Sequence, residues 1–462
     1  MFYPGRMKPF PIPNRYMPKA LNCNSRTQEY SQVADSISSG ASSADARGLA
    51  TGFANYSRCH VIIVFYLVAY LVAGLYTELV FAATTPIPDK LFEDFRYYAR
   101  ALTEALNGGD PYAIRAIGPA FLYPPPALFA VEMFNHIEPF LLRVSIYSVF
   151  NIALLLSVVY GVARYYNYSV ARIWWWYVLC LGFAPFLELL HIGQINLITL
   201  FGLFVLFVGD HTSPLAAGLG LALATATKVT PLAYVPYLLA NRKFKALGAT
   251  IGFLALLVCV GALRYGLSPT LEYVDVFEGL LNQFVIDANS QSLVAKLAML
   301  SSYPQLLDII SALPAALRTP ITGTLGFLTF GVPVIQRALA LYVLVVISTS
   351  CILTVLARQP KEPSFVVTGF AMMLAPNIMW YHHYVFILLP LLIWMGWRRL
   401  DGRVVAWSLF GLLIIQVDRY FPPYGLMIHI FGHVSMLSLL FWQVRHFDRV
   451  SRNVPRATDA TS

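Results

Sequence analysis

The chain has 462 residues, of which 58% are hydrophobic and only 12% are charged, and its formal net charge is +9. A soluble domain carries about twice this share of charged residues, so the composition excludes a soluble protein and indicates a polytopic membrane protein. No Walker or Rossmann glycine pattern is present, which argues against an ATP-driven pump, and no basic-aromatic module for binding nucleic acid is visible. We therefore attribute the positive charge to membrane topology and to anionic lipid, and we expect no nucleic-acid partner.

The two ends of the chain are polar. Residues 1–59 contain no apolar core, which predicts a disordered cytoplasmic tail rather than a cleavable signal peptide. Residues 446–462 are basic and predict a second cytoplasmic tail, so the transmembrane domain is expected over 60–445. The cysteines lie in the first tail or inside apolar runs, without a CxxC pair. This arrangement predicts neither a disulfide framework nor a thiol-bound metal.

Apolar runs recur along the whole of the expected transmembrane domain. A bilayer core of about 30 Å needs roughly 20 apolar residues per helix, and on that basis we predict an all-α polytopic bundle of about 10–13 transmembrane helices. Some of the runs are short and one of them is broken. The runs are 60–83, 139–163, 173–187, 195–208, 215–240, 247–263, 335–356, 364–379, 384–397, 404–417 and 424–443.

Lysine and arginine residues cluster beside one set of loops, which are therefore assigned to the cytoplasmic side. The loops at 84–122 and 265–318 are balanced or acidic and are assigned to the outside. The run at 215–240 does not fit this assignment, because the segments on both of its sides are assigned to the cytoplasm. The run is also interrupted at Lys228 and Pro231. A broken or re-entrant helix pair would reconcile the charges, since irregular backbone at membrane depth is tolerated where it lines a cavity.

The stretch FEDFRYYARALTEALNGGDPY, residues 92–112, is charged and rich in tyrosine although it follows the first apolar run. Helical periodicity gathers four charged residues into one stripe, namely Glu93, Arg96, Arg100 and Glu104. Asp94 points about 120° away from that stripe. Its own face is formed by Tyr97, Tyr98, Ala101 and Ala105. An acid in the first turn of an interfacial helix has either a capping role or a chemical role, and periodicity leaves both open.

Polar motifs recur near the outer ends of the predicted helices. FLYPPPALFA, residues 121–130, contains three prolines and predicts a rigid re-entry of the chain into the membrane. HIGQIN places Gln194 and Asn196 around a glycine, where their side chains either close the turn or face a ligand. NSQSL, with Gln291 and Ser292, is a polar cluster in the largest external loop. Polar groups at membrane depth are candidates for function, although burial between helices is the alternative.

WYHHY, residues 380–384, has two adjacent histidines at the outer end of an apolar run. Adjacent helical residues diverge by about 100°, so at most one of His382 and His383 is expected to face a given pocket. An aromatic belt at the membrane interface is the alternative interpretation. Because no DxD, HExxH or second histidine cluster accompanies the pair, we expect no metal and no other cofactor.

Taken in chain order, these motifs resemble those of glycosyltransferase family 87. The motifs are DFRYYARALTEALNGGDPY, YPP, GQIN, KVTP, QSL and WYHHY, and they extend over about residues 90–400. Two departures are visible. NSQSL has one serine more than the NQSL that is usual in the family, and the long polar N-terminal tail has no counterpart.

The resemblance implies a GT-C fold, a many-helix membrane bundle in which helices of the external loops form an active site at the outer face. It implies a lipid-linked sugar donor and a catalytic carboxylate in the first external loop, and the matching residue is Asp94. The family contains polyprenyl-phosphate-mannose-dependent α-mannosyltransferases and an arabinofuranosyltransferase. Mannose is therefore the expected sugar, and arabinose or another sugar is the alternative.

The other expected roles depend on this resemblance. Lys228, His382 and His383 are rival candidates for binding the donor phosphate, and a snorkelling structural lysine is the alternative for Lys228. Hydroxyls of the sugar and of the acceptor are expected to meet polar side chains. These are Tyr97, Tyr98, Gln194, Asn196, Gln291 and Ser292.

We therefore expect an inverting glycosyltransferase that moves a sugar to a glycolipid or polysaccharide acceptor. It is expected in the bacterial inner membrane, with cytoplasmic termini and an active site facing the exterior. One carboxylate is enough, because polyprenyl phosphate leaves without a proton and only the acceptor hydroxyl needs a base, here Asp94. A polysaccharide polymerase or ligase and a lipid-linked-sugar flippase or transporter remain alternatives.

Overall fold

The structure is a computed structural model, and its described residues are helical almost throughout. It describes residues 91–113, 121–168, 170–282, 290–300, 310–330, 332–356, 361–374 and 378–396, together with residues 61, 64, 68, 72, 308 and 376. The one departure from helix or loop in these ranges is an isolated antiparallel bridge between Ser290 and Trp380. The all-α fold class predicted from the apolar runs is confirmed for this part of the chain.

The helices of the described residues have the following bounds. In chain order they are α1 (Glu93–Leu106), α2 (Leu128–Asn135), α3 (Phe140–Tyr165), α4 (Val170–Leu181), α5 (Ala184–Ile192), α6 (Asn196–Thr212), α7 (Pro214–Thr227), α8 (Tyr234–Ala240), α9 (Phe244–Tyr265), α10 (Ser268–Asn282), α11 (Leu293–Leu300), α12 (Ala315–Phe330), α13 (Val332–Leu356), α14 (Glu362–Leu374) and α15 (Leu388–Gly396). Short 3-10 helices cover Pro125–Ala127, Thr230–Ala233 and Tyr381–Ile387.

Three helices of the described ranges are long and apolar enough to cross a membrane, namely α3, α9 and the segment Val334–Ile352 of α13. Shorter apolar helices are α6, α7, α14 and the segment Tyr381–Ile393. Helix α9 leaves much of its apolar surface uncovered, and Leu263 is 87% exposed. Such a face suits contact with lipid tails, so the chain is a membrane protein.

Several sequence predictions fall on residues outside the described ranges. They include the two tails at 1–59 and 446–462, most of the first run at 60–83, and the last two runs at 404–417 and 424–443. The expected number of crossings therefore stays a prediction.

The run at 215–240 is broken where the sequence predicted. Helix α7 ends at Thr227, and Lys228 has an extended backbone with φ −159° and ψ 135°. Thr230–Ala233 then forms a 3-10 turn before α8 begins at Tyr234. Pro231 lies at the start of that turn, where its missing N–H costs no hydrogen bond. The break therefore places Lys228 outside the regular part of the helix.

Helix α7 lies tightly against α6 and α9. The approach to α6 depends on small residues, because a Cβ atom at Gly209 or Gly220 would collide with the backbone of the facing helix. Close packing of this kind holds helices together where lipid provides no hydrophobic driving force. The end of α7, and therefore Lys228, is held rigidly relative to the start of α6.

Two predicted features differ from the structure. The run at 173–187 is divided into α4 and α5, because the helix stops at Leu181 and restarts with Pro185 in its first turn. The prolines after Tyr123 lead into the eight-residue helix α2, which is too short to cross a membrane. The chain enters its first described long span only at α3.

The described residues form two hydrophobic cores. The larger core joins α3, α5, α6, α7, α13, α14 and the segment around Tyr381–Ile393. The smaller core joins α1, α2 and the start of α3 with Tyr112 and Phe121. Ile195 belongs to the smaller core and Leu197 to the larger one. The short connection before α6 therefore lies at the seam between the two cores, and it carries Gln194.

Candidate active site

Helix α1 presents one face to the protein and one face outward. Its buried residues are Phe95, Tyr98, Ala101, Leu102 and Ala105. Arg96, Arg100 and Glu104 of the predicted charged stripe are exposed. The first turn is tied to the end of α5, because the N–H of Phe92 donates to the carbonyl oxygen of His191 at 2.8 Å. The helix ends before Gly108, whose φ of +77° suits glycine.

The connection after α5 brings Gln194 to Asp94. Gly193 has φ +78°, and a Cβ atom there would lie 2.7 Å from the Cβ atom of Phe95 on α1. A glycine therefore allows the turn to lie directly against α1. The side-chain amide of Gln194 donates a hydrogen bond to Oδ2 of Asp94. No side chain caps the N-terminus of α1, and Asp94 in its first turn instead accepts the hydrogen bond from Gln194.

Two tyrosines extend this contact into a directed chain of hydrogen bonds. The hydroxyl of Tyr98 donates to the hydroxyl of Tyr123 at 3.2 Å, and Tyr123 donates to Oε1 of Gln194 at 2.7 Å. The amide group of Gln194 then donates to Asp94. Each donor points toward the carboxyl, so Oδ2 is held as an acceptor. Oδ1 accepts no hydrogen bond from the described residues and remains available to a substrate.

The surroundings of Asp94 favour its uncharged form. The residue keeps partial exposure, but protein atoms enclose its carboxyl closely enough that burial raises its pKa to about 7. The hydrogen bond from Gln194 acts in the opposite sense, and the charges of Glu93 and Glu188 add to the rise. Lys228 is near enough to lower the pKa slightly. A carboxyl of this kind exchanges a proton near neutral pH, as a general base must.

The sequence placed Tyr97 on the face of Asp94, and in the structure Tyr97 lies at the edge of that face, partly buried against the smaller core. The hydroxyl of Tyr97 donates to Oε1 of Glu93 at 2.7 Å, one turn earlier on α1. The two residues are four positions apart and therefore lie on the same side of the helix, where both are partly exposed. The small angular difference between Tyr97 and Tyr98 decides which tyrosine enters the protein, and only Tyr98 is buried.

Lys228 and His383 meet on the other side of Tyr123. The Nζ atom of Lys228 lies 2.6 Å from Nε2 of His383, and 5.8 Å and 5.6 Å from the ring centres of Tyr123 and Phe386. The lysine is half-buried and the histidine is buried. His382 is also buried, and its ring meets that of His383 edge to face at 4.5 Å. Of the two histidines, His383 is the one in contact with Lys228.

The remaining predicted residues lie deeper in the protein. Gln291 and Ser292 are buried, and the N–H of Gln291 donates to the carbonyl oxygen of Met379 at 2.5 Å. This contact holds the QSL motif beside the WYHHY motif. Asn196 is fully buried at the start of α6, and its amide group finds no hydrogen-bond partner among the described residues. A buried amide without a partner costs about 1–3 kcal/mol, which is typical of a functional position.

Sequence reasoning missed two residues around the site and one buried lysine after the QSL motif. Tyr123 was interpreted only as part of a proline-rich turn, whereas its hydroxyl links Tyr98 to Gln194. Glu188 on α5 acts on the charge of Asp94, and Lys296 on α11 is buried four positions after Ser292. Charged residues inside apolar stretches are the signal that could have identified Glu188 and Lys296.

The described residues contain no group of three histidine, cysteine, aspartate or glutamate side chains that could hold a metal ion. The absence of a metal or another cofactor from the reaction stays a prediction.

The comparisons with known proteins bear on this arrangement. The sequence profile of glycosyltransferase family 87 matches residues 121–376, which is more than half of the chain. The matched region contains Tyr123, Gln194 and Lys228, whereas Asp94 precedes it and His383 follows it. No curated protein matches the chain. The chain belongs to glycosyltransferase family 87, and it is a membrane glycosyltransferase.

Proposed function

We propose that this protein transfers a sugar from a polyprenyl-phosphate donor to a hydroxyl group of a glycolipid or polysaccharide acceptor. Mannose is the sugar that the family resemblance favours, and arabinose is the alternative. The reaction inverts the configuration of the transferred sugar, and Asp94 acts as the general base. The proposal is supported most directly by the open oxygen of Asp94 beside a phosphate-binding candidate, Lys228, at one seam of the bundle.

The chemistry needs few groups from the protein. The acceptor oxygen forms a bond to the anomeric carbon while the bond from that carbon to the phosphate oxygen breaks. The electron pair of the broken bond leaves with the phosphate, and the acceptor proton moves to Oδ1 of Asp94. Because a phosphate monoester is a good leaving group, no acid is required to protonate it. The chain of hydrogen bonds through Gln194 keeps Oδ2 occupied, so Oδ1 is the oxygen that accepts the proton of the acceptor hydroxyl.

The phosphate end of the donor requires positive charge or hydrogen-bond donors. The donor is a phosphodiester with one negative charge, and the leaving monoester carries up to two. Groups that meet this developing charge contribute most to the rate. Lys228 and His383 are the proposed partners, since they are in mutual contact near Asp94. His382 contacts His383 rather than Lys228 and is the less favoured candidate.

Some polar side chains that the sequence assigned to sugar or acceptor binding are given a different role here. Gln194 and Tyr98 are engaged in the chain of hydrogen bonds to Asp94, so we assign them as positioning residues rather than as sugar-binding residues. Tyr97 is partly exposed on α1, where an acceptor could reach it. Asn196, Gln291 and Ser292 are proposed to bind the deeper part of the donor.

The remaining elements of the proposal rest on the charge pattern and on the family resemblance. Lysine and arginine clusters assign the loops on the opposite side to the cytoplasm, so the site faces the exterior of a bacterial inner membrane. The fold is proposed to be of the GT-C type, with α1 as the catalytic helix of the first external loop.

Purified protein in lipid with a panel of polyprenyl-phosphate sugars tests the assignment. Asp94→Asn keeps the shape of the side chain but removes the base, and turnover is expected to fall about 10²–10⁴-fold. Glu104→Gln is the matched control, because it removes an exposed carboxylate of the same helix that does not act on Asp94, and it is expected to keep turnover within about twofold. Near-normal turnover by a folded Asp94→Asn protein would contradict the role of the base.

The same preparation distinguishes the alternative classes. Release of polyprenyl phosphate together with a glycosylated acceptor supports the transferase. Movement of the lipid-linked sugar between leaflets without transfer would instead identify a flippase or transporter. Extension of a polymer from a lipid-diphosphate donor would identify a polymerase or ligase.

A further inference from the structure

Both ring nitrogens of His383 face groups that donate hydrogen bonds. The backbone N–H of Trp380 donates to Nδ1 at 3.2 Å, and the Nζ atom of Lys228 lies 2.6 Å from Nε2. A neutral imidazole has one protonated nitrogen and one bare nitrogen. The proton of the Trp380 amide is fixed, so the bare nitrogen is Nδ1 and the ring proton lies on Nε2.

This tautomer determines the charge state in which Lys228 can form a hydrogen bond with His383. An ammonium group has donors only, and it cannot form a hydrogen bond with an Nε2–H group that is also a donor. A neutral amine has a lone pair and can accept the proton of Nε2. Doubly protonated His383 would conflict with both neighbours at once. The contact at 2.6 Å is therefore a hydrogen bond only when Lys228 is uncharged.

The other groups around Lys228 do not reverse this conclusion. Asp94 would favour an ammonium if it were charged, but burial raises its pKa to about 7, so near neutral pH much of it is protonated. His382 touches His383 edge to face and supplies no negative charge. The ring faces of Tyr123 and Phe386 lie 5.8 Å and 5.6 Å from Nζ and would stabilise a cation there by a modest amount. These rings become useful once an anion has arrived.

The geometry points to a Lys228 that is uncharged before the donor binds and that takes up one proton from water when a phosphodiester anion binds beside it. This inference rests on the proposed function of the same site as the place of the donor phosphate. The anion supplies oxygen acceptors, so the lysine changes from accepting a hydrogen bond to donating one. The Nε2–H group of His383 is released at the same time and can donate to the same phosphate.

The coupling has a consequence for selectivity and for the reaction. A neutral lipid cannot charge the lysine, because it provides no negative charge to compensate an ammonium at a half-buried position. Only an anionic donor completes the site. The charged lysine is then in place before the leaving phosphate gains its second negative charge.

Calorimetric titration of the full-length protein in lipid with methyl farnesyl phosphate tests this inference. The probe is a phosphodiester and does not titrate near neutral pH, so any proton change on binding comes from the protein. Titrations at about pH 7, where much of Asp94 is still protonated, in buffers of different ionisation enthalpy are expected to show uptake of about one proton per site. The affinity is expected to fall about tenfold per pH unit above that pH, because each binding event consumes a proton.

Two variants assign the proton. Lys228→Arg is charged at all accessible pH values, so it is expected to bind the probe without proton uptake. Asp94→Asn removes the other nearby group that titrates, and uptake is expected to persist. Binding by the wild type without uptake overturns the inference, and so does uptake that disappears in Asp94→Asn. Failure of the wild type to bind the probe contradicts instead the proposed donor site.

Discussion

Asp94 and Asp210 lie near opposite ends of α6 and are buried in different ways. Asp210 belongs to α6, whereas Asp94 belongs to α1 and contacts Gln194. Helix α6 has 17 residues and is about 25 Å long, with Gln194 just before its start and Asp210 near its end. The side chain of Asp210 is 1% exposed, and the Nζ atoms of Lys243 and Lys361 lie 3.0 Å and 3.5 Å from its oxygens. Asp94, in contrast, accepts one hydrogen bond from Gln194 and keeps Oδ1 open.

The comparison separates a structural carboxylate from a candidate functional one. The hydroxyl of Tyr237 adds a third donor to Asp210 at 3.1 Å, and Lys243 also donates to its backbone carbonyl at 2.7 Å. These partners come from α8, from the turn before α9 and from the start of α14, so Asp210 ties three parts of the bundle together. Each oxygen of Asp210 lies beside a lysine Nζ atom, so its negative charge is compensated inside the protein. Asp94 is incompletely paired, as a group that must exchange a proton needs to be.

The largest effect that we expect is a loss of folding stability when Asp210 is replaced. Asp210→Asn leaves two lysines beside an uncharged group, and the free energy of unfolding is expected to fall by about 3 kcal/mol. Unfolding of the purified protein in detergent measures the change, and turnover per folded molecule is expected to stay within about twofold. Glu104→Gln, at an exposed carboxylate of α1, is the control and is expected to change stability by less than about 0.5 kcal/mol. A loss of turnover without a loss of stability would remove the distinction between the two carboxylates.

The second expected effect concerns pH and applies to Asp94. Its raised pKa of about 7 means that the carboxyl is still protonated in mild acid and cannot accept the proton of the acceptor. The value of kcat/KM is therefore expected to rise about tenfold per pH unit below about pH 7, and at higher pH the proton consumed by donor binding should lower it again. A pH profile measured with saturating acceptor checks this. A flat profile down to about pH 5 would mean that a different group controls the reaction.

The smallest expected effect is on Tyr123. Tyr123→Phe removes the hydroxyl that orients Gln194, and a loss of kcat of about three- to tenfold is expected. Because the hydrogen bond from Gln194 lowers the pKa of Asp94, a looser Gln194 should also move the acid limb of the pH profile to higher pH. Tyr97→Phe is the matched control, since its hydroxyl contacts only Glu93, and no shift of the limb is expected. Equal behaviour of the two variants would argue against the directed chain of hydrogen bonds.

The sequence predicted local features of this site well. Helical periodicity identified α1 and separated Asp94 from the charged stripe, and the Lys228–Pro231 interruption identified the break after α7. The glycine of HIGQIN was expected to form a turn, and Gly193 does so against α1. These features depend on residues within a few positions of one another, which a sequence pattern reports directly.

The sequence could not predict which distant residues meet. Gln194 lies 100 positions from Asp94 in the chain, and His383 lies 155 positions from Lys228. Such contacts are set by the packing of whole helices, here by the seam between the two cores. Periodicity also could not decide between Tyr97 and Tyr98, because the orientation of α1 relative to α2 and α3 determines which one is buried. For the same reason Tyr123 was interpreted as a turn residue only.

The antiparallel bridge between Ser290 and Trp380 explains how this chain can depart from the usual NQSL motif. The additional residue of NSQSL is Ser290, and it pairs with Trp380 through the backbone. A backbone pairing does not depend on the side chain, so one inserted residue can extend the paired segment while Gln291 and Ser292 keep their register beside Met379 and Trp380. Ser290 is itself buried, and its Oγ atom accepts from the N–H of Ser292, so position 290 should accept only small residues. Proline at 291 would remove the N–H that holds the two motifs together.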